Sequence, residues 1–293
     1  ALEHGEKLGK PDLPVTLAIT NNYPHRRQSV NYTHTRNWLI GLRLFLADIE
    51  ALTSPGSPFE RLNVMTHLDH IQPNEDAELL AGDLSAYSSI MYDASAGPME
   101  RNIELTSEFV RTHGRDIVIE GACDEIVDAT GTERSDLTTP ERAEHYLSST
   151  GVDFIVANLG TEHRASAADL CYHGDLARRI SQRVGPRLVL HGCSSVPVDQ
   201  VASLFSDGVA KVNIWTAMER DSSPALLEAM VAHASKVAGP EVARRLAAEG
   251  LLGQNADIES RADLDWYTTC SRQQIIFEQM KQIVRTFFET WYR

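Results

Sequence analysis

Short runs of apolar and β-branched residues alternate along this chain with longer stretches of amphipathic spacing. The longer stretches predict helices, such as Pro98–Thr112 and Thr139–Ser148, where a Thr cap precedes Pro140. The apolar runs predict strands at Val15–Thr20, Leu62–His67, Ser88–Asp93, Asp116–Glu120, Asp153–Asn158, Arg187–His191 and Val209–Ile214. This alternation predicts parallel βαβ units, and runs that are apolar throughout are typical of strands buried on both faces.

The number of predicted strands leaves two architectures open. An open α/β sheet is one, and a (β/α)8 TIM barrel whose first strand is missing from this sequence is the other. Ala1–Lys10 has the pattern of the tail of a helix, Thr35–Leu52 that of one long helix, and Gln273–Trp291 that of a closing helix. The length of 293 residues suits two ordinary domains or one large barrel.

Composition narrows the classes of partner. The chain carries 27 basic and 41 acidic residues, a formal net charge of −14, which argues against nucleic acid or an anionic membrane as a general partner. No stretch reaches the roughly 20 apolar residues of a membrane span, and the amino end has no secretory signal. The four cysteines have no CxxC spacing, so we expect reduced thiols and a cytoplasmic protein.

Polar residues with metal-binding chemistry follow several predicted strands. Asp69 and His70 follow the second strand, and the others are Glu120, His163 and His191. The carboxyl ends of barrel strands meet at one face, where active sites are built. Imidazole nitrogens and a carboxylate oxygen suit Zn²⁺ with one position left open for substrate. The sequence therefore predicts a zinc site at this face.

Seven ordered segments resemble one family, the class II, zinc-dependent fructose-bisphosphate and tagatose-bisphosphate aldolases. HLDH (His67–His70) is similar to the family's HxDH motif, in which the Asp is catalytic and the second His binds zinc. The other segments are PVTLAITNN (Pro14–Asn22), SSIMYDASAGPMERNIELT (Ser88–Thr106), LTTPERA (Leu137–Ala143), GVDFIVANLGTEH (Gly151–His163), RLVLHGCSSVP (Arg187–Pro197) and GVAKVNIWT (Gly208–Thr216). The resemblance implies a single barrel domain over residues 1–293.

The resemblance also implies roles for individual residues. His70, His163 and His191 would bind zinc, with Glu120 as a nearby or alternative ligand, and Asp69 would be the general acid/base. Asp128 lies where the family's loop carries an acidic proton-transfer group, although a solvated loop acid is the competing interpretation. Substrate and phosphate contacts would come from Thr20, Asn21, Arg164, Gly192, Ser194, Asn213, Trp215 and Thr216.

The departures from the family cluster at the phosphate site. Arg164 stands in place of the Gly expected after the zinc-binding His, the GGSG turn is Gly192-Cys193-Ser194-Ser195, and Trp215 replaces an Asp. Glycines in such turns let backbone N–H groups approach a phosphate, so their loss predicts a changed substrate. Arg164 can compensate as a bidentate partner for phosphate or carboxylate.

These features predict an aldolase-type carbon–carbon lyase of carbohydrate metabolism. Its substrate would be a small-molecule ketose or ketose phosphate, handled through a metal-stabilised enediolate. A zinc-dependent epimerase or isomerase on the same scaffold and a non-catalytic paralogue stay open as alternatives. The family's habit predicts a homodimer or homotetramer, with no nucleic acid or membrane as partner.

Overall fold

The computed structural model describes residues 1–10, 12–24, 26–125, 137–161 and 172–292. The chain divides into two compact units, residues 1–213 with 290–293, and residues 214–289. The prediction of a single domain over 1–293 stays a prediction.

Seven parallel strands within the described residues form one sheet in the first unit, and their spatial order follows the chain. They are β1 (Pro14–Thr20), β2 (Asn63–Ile71), β3 (Ser89–Tyr92), β4 (Val118–Ala122), β5 (Phe154–Val156), β6 (Leu188–Leu190) and β7 (Val209–Val212). All seven overlap the predicted runs, although β2 continues to Ile71 and so contains Asp69 and His70, which the sequence places after the strand. Each strand pairs in parallel with the next. The sheet is that of an α/β TIM-barrel-like fold with one strand fewer than the usual eight.

Helices of the first unit follow the strands in the βαβ manner. They are α1 (Leu2–Leu8), α2 (Gln28–Asn31), α3 (Trp38–Thr53), α4 (Ala77–Leu80), α5 (Met99–His113), α6 (Pro140–Thr150), α7 (Gly174–Val184) and α8 (Val198–Val201). The predicted cap of α6 is confirmed, since the Thr139 hydroxyl accepts a hydrogen bond from Arg142 N.

The prediction of one helix over Thr35–Leu52 is wrong at its start. Asn37 caps α3, because its side-chain oxygen accepts hydrogen bonds from Leu39 N and Ile40 N, so the helix begins at Trp38. The preceding residues form turns instead.

The second unit is helical. Its helices are α9 (Thr216–Ala232), α10 (Ala234–Ala238), α11 (Pro240–Ala248), α12 (Leu264–Tyr267) and most of α13 (Thr269–Trp291), the predicted closing helix. Within this unit the rings of His233 and Trp266 lie 3.8 Å apart.

The core of the sheet is a layer of small and medium apolar side chains from adjacent strands. Met91, Ala122, Val156 and Val189 pack together there, with Phe154 against them. None of the helices in the described ranges has the length and apolar character needed to cross a bilayer. These side chains form the apolar interior, and the candidate site lies at the polar carboxyl ends of the strands.

Candidate functional site

The carboxyl end of β2 departs from regular strand geometry. His70 has a φ of 51°, and the pairing register between β2 and β3 shifts between Leu68 and Ile71. In a regular strand Asp69 and His70 would point to opposite faces of the sheet, but a bulge re-aims one side chain. A left-handed conformation is strained for a residue with a Cβ, and such strain is concentrated at functional sites.

A buried cluster of three metal-binding side chains results. Asp69, His70 and His191 each place a ligand atom within 4.8 Å of the others. His70 Nε2 lies 3.1 Å from His191 Nδ1. We call Asp69, His70 and His191, together with their partners Asp93 and Asn213, the upper cluster.

Asp93, at the end of β3, orients His70. Its Oδ2 lies 2.8 Å from His70 Nδ1, and its Oδ1 accepts a hydrogen bond of 2.6 Å from the Ser95 hydroxyl. Burial opposes ionisation of Asp93, yet the hydrogen bond and charge of His70, with the bonds from Ser95, lower its pKa. An ionised Asp93 accepts a hydrogen bond from His70 Nδ1, which orients Nε2 towards His191. The sequence motifs did not assign Asp93 a role, although an acid at a strand end is the signal they used elsewhere.

Asp69 has partners at both carboxylate oxygens. Asn213 Nδ2 lies 3.1 Å from Oδ1, and Arg26 Nη2 lies 3.0 Å from Oδ2. Burial is the largest influence on the Asp69 pKa and raises it, but His70, His67 and Arg26 together hold that pKa well below its usual range. The carboxylate is therefore ionised and able to accept a proton.

The donor set of the upper cluster fits a metal ion. Two nitrogens that bind one tetrahedral ion at about 2.0–2.1 Å lie about 3.3 Å apart, close to the spacing of His70 Nε2 and His191 Nδ1. The carboxylate that orients His70 is the usual outer partner of a metal-binding imidazole. The chemistry suits a divalent cation that accepts nitrogen and oxygen ligands.

A second group of charged side chains, the lower cluster, consists of His67, Ser89, Glu120 and Lys211. Lys211 Nζ lies 2.5 Å from Glu120 Oε1 and 3.2 Å from His67 Nε2, while His67 Nδ1 lies 2.8 Å from Ser89 Oγ. Glu120 Oε2 is buried and has no hydrogen-bond partner among the described residues. The structure thus pairs Glu120 with Lys211, and its predicted role as an alternative metal ligand stays a prediction.

The residues predicted for substrate at the end of β1 bind their own loop. Asn21 Nδ2 donates to Asp76 Oδ1 over 2.8 Å, and its Oδ1 accepts from the Ser29 hydroxyl. Thr20 donates from its backbone N to Gln28 Oε1 over 2.9 Å. These bonds fix the loop that follows β1.

The predicted phosphate turn follows β6 as a 3₁₀ turn over Cys193–Ser195. Gly192 has a φ of 68°, a conformation that favours glycine. The Ser194 hydroxyl is buried and has no hydrogen-bond partner in the described part of the chain. Burial raises the pKa of the Cys193 thiol to about 12, so that thiol stays protonated.

The remaining five predicted residues belong to the second unit or lie outside the described residues. Trp215 and Thr216 begin α9, in the second unit. Asp128, His163 and Arg164 lie outside the described residues.

Comparison with known proteins decides the family. A family model described as fructose-bisphosphate aldolase class-II matches residues 14–286. The chain belongs to this aldolase family. The match confirms the resemblance carried by the strand-end motifs, and the family's members are carbon–carbon lyases.

Two curated aldolases are similar to parts of the chain. The D-tagatose-1,6-bisphosphate aldolase subunit GatY of Klebsiella oxytoca is 33% identical over 172 residues, which are 56% of this chain and 60% of that protein. A fructose-bisphosphate aldolase of Giardia intestinalis is 29% identical over 205 residues, 59% of this chain and 62% of the relative. The chain thus spans about three fifths of the length of these class-II aldolases.

Solved aldolase structures share the fold. The YdjI aldolase of Escherichia coli K12 superposes with a TM-score of 0.63 at 18% identity, covering 99% of this chain and 85% of that one. The fructose-bisphosphate aldolase of Campylobacter jejuni gives a TM-score of 0.70 at 16% identity with the same coverage. At these identities the likeness shows the aldolase fold.

Proposed function

We propose that this class-II family member is a zinc-dependent aldolase that breaks or forms a carbon–carbon bond in a ketose or ketose phosphate. One observation carries the proposal: two imidazole nitrogens 3.1 Å apart, one oriented by Asp93, beside an ionised and buried Asp69. His70 and His191 would hold Zn²⁺, with His163 as the third imidazole that the family motif implies.

Zinc, when bound, supplies a Lewis acid that takes up negative charge developing on the substrate carbonyl oxygen. Asp69 acts as the base that removes the proton from the hydroxyl on the carbon β to the carbonyl, and this carbon becomes the aldehyde when its bond to the α carbon breaks. A positioned base of this kind contributes roughly 10²–10⁴-fold to rate. Its low pKa keeps the carboxylate in the ionised form that accepts a proton.

Asn213 contacts both Asp69, the proposed base, and His191, a proposed metal ligand. Its Nδ2 lies 3.1 Å from Asp69 Oδ1 and 3.2 Å from His191 Nε2. In this position the amide orients Asp69 and contacts the carbonyl end of a bound ketose. The buried Ser194 hydroxyl, which lacks a hydrogen-bond partner among the described residues, supports a phosphate contact at the turn after β6.

The proposed substrate class, cellular location and oligomeric state are based on the family and on the composition of the chain. The relatives are named for tagatose and fructose bisphosphates, and we propose a ketose or ketose phosphate of that class. A cytoplasmic homodimer or homotetramer is proposed from the family habit and from the net charge of −14. Glu120 as an alternative ligand and Asp128 in proton transfer remain part of this proposal.

Cleavage assays test the activity. Purified protein is incubated with fructose 1,6-bisphosphate, tagatose 1,6-bisphosphate and their monophosphates, and released triose phosphate is measured by coupled reduction. We expect triose release that stops on chelation and returns with zinc. His70→Ala protein purified in the same way controls for contaminating aldolase.

Two results would contradict the proposal. Formation of an epimerised ketose without triose would identify an epimerase. Absence of any turnover in protein that holds zinc would identify a non-catalytic paralogue.

A further inference from the structure

Arg26 lies inside the candidate site, although no sequence motif points to it. It belongs to the loop after β1, and its Nη2 lies 3.0 Å from Asp69 Oδ2. Only 10% of its side chain is exposed, a low value for the most strongly basic residue type. The guanidinium is thus buried beside the carboxylate proposed to move the proton.

The loop that carries Arg26 is fixed from both sides. Thr20 donates its hydroxyl proton to the Arg26 carbonyl oxygen, and Gln28 N donates to the same oxygen over 3.1 Å. The guanidinium lies 5.4 Å from the centre of the Tyr23 ring, and that ring stacks on His70 with centroids 4.1 Å apart. Arg26 therefore has a fixed position relative to His70, through the ring of Tyr23, as well as relative to Asp69.

Charge balance gives Arg26 a role beyond pairing with Asp69. In the lower cluster Lys211 is neutralised by Glu120. In the upper cluster the carboxylates of Asp69 and Asp93 would balance a bound divalent cation, which is the largest local charge in such a site. Arg26 then adds one positive charge beside Asp69, in a chain of net charge −14.

The position of Arg26 indicates which part of the substrate it reaches. In aldol cleavage the hydroxyl deprotonated by Asp69 is on the carbon that leaves as the aldehyde. That hydroxyl must lie about 2.6–3.2 Å from Asp69. Because Arg26 is bonded to the same carboxylate, a group that contacts its guanidinium lies within one or two carbons of the reacting hydroxyl.

We propose that Arg26 binds an oxyanion, a carboxylate or a phosphate, on the aldehyde-forming half of the substrate. The inference rests on the proposed aldolase function and adds a residue that determines which aldehyde is accepted. A planar guanidinium with several donors can serve Asp69 and a substrate oxyanion on different edges. This subsite is separate from the phosphate turn after β6, which would take the other end of the substrate.

Aldol addition measures this preference directly. Dihydroxyacetone phosphate is the donor, and the acceptors are D-glyceraldehyde, tartronate semialdehyde and D-glyceraldehyde 3-phosphate, which share a three-carbon frame and differ in the terminal group. We expect wild-type kcat/KM to favour at least one anionic acceptor over glyceraldehyde by about tenfold to a hundredfold. Arg26→Gln lowers that ratio to near one and Arg26→Lys lowers it partly.

A binding experiment gives a readout independent of turnover. The zinc-loaded protein is titrated by calorimetry with D-glycerate, glycerol 3-phosphate and glycerol. We expect Arg26→Gln to weaken at least one anion by about tenfold or more. Arg178→Gln is the matched control, because Arg178 also pairs with a buried aspartate, Asp207, and it should leave both the ratio and the binding unchanged.

Each outcome decides the proposal. An equal loss with all three acceptors in Arg26→Gln would make Arg26 only a positioning residue for Asp69 and overturn the inference. Anion binding that is the same in wild type and Arg26→Gln would also overturn it. If no acceptor reacts but Arg26 governs anion binding, the aldolase proposal fails and the anion subsite stands.

Discussion

The upper and lower clusters both combine histidine with carboxylate side chains, yet they differ in how their charges are satisfied. In the lower cluster Lys211 supplies a fixed cation 2.5 Å from Glu120 and 3.2 Å from His67. In the upper cluster two histidine nitrogens face each other at 3.1 Å, and two carboxylates, Asp69 and Asp93, flank them.

This difference in charge balance indicates which cluster affects the stability of the fold and which one binds metal and takes part in the reaction. The lower cluster contains a buried ion pair with its own cation, and removing one member of such a pair destabilises the protein. Two imidazole nitrogens at this spacing, beside ionised carboxylates, provide the nitrogen and oxygen ligands that suit an external cation. We therefore expect changes in the lower cluster to alter mainly stability, and changes in the upper cluster to alter mainly metal binding and turnover.

The largest effect is expected from Asp69→Asn, which keeps the size of the side chain but removes the base. We expect turnover to fall by about 10²–10⁴-fold. Zinc content should stay close to wild type, whereas the free energy of unfolding should fall, because Asp69 is also the buried partner of Arg26. Steady-state cleavage rates and metal analysis of the same sample check this. Loss of the zinc would instead make Asp69 a ligand, and unchanged turnover would contradict its role as the base.

Lys211→Met tests the other side of the comparison. Removing the cation leaves Glu120 buried without a counter-charge, and we expect a loss of about 3–5 kcal/mol in the free energy of unfolding. Zinc content should be retained. Urea unfolding followed by circular dichroism measures the loss.

The control for that variant is the double change Lys211→Met with Glu120→Gln. It removes both charges and should recover much of the lost stability. If Lys211→Met lost zinc while remaining as stable as wild type, the division between the two clusters would be wrong.

A smaller effect is expected from Asp93→Asn, which removes the charged partner of His70 Nδ1. Outer partners of metal-binding histidines change metal affinity by about 10–100-fold. Competition with a chromophoric chelator measures the zinc dissociation constant, and Ser95→Ala should give a weaker effect in the same direction. An unchanged zinc affinity in Asp93→Asn would show that His70 is oriented without this carboxylate.

Much of the fold could be predicted from the sequence, because buried strands correspond to short runs rich in apolar and β-branched residues. The run Leu188–Leu190 is apolar at every position, and the other strands of the sheet described above, some of which contain polar residues, also overlap the predicted runs. The start of α3 could not be predicted from periodicity alone, since the capping side chain of Asn37 overrides it.

The site could be predicted in part. His70 and His191 meet because strand ends converge, a consequence of parallel topology that a sequence shows. The left-handed backbone of His70 and the position of Arg26 depend on a bulge and on loop contacts with no sequence period. The pairing of Glu120 with Lys211 depends on which long side chains meet across β4 and β7, and residue type alone does not decide that.

The central claim is that the upper cluster holds a catalytic zinc ion. The most direct test is elemental analysis by mass spectrometry of freshly purified wild type, His191→Ala and the exposed control His145→Ala. We expect about one zinc per chain in wild type and in His145→Ala, and almost none in His191→Ala. Wild-type protein without stoichiometric zinc, or His191→Ala protein that keeps it, would show that the upper cluster is not a zinc site.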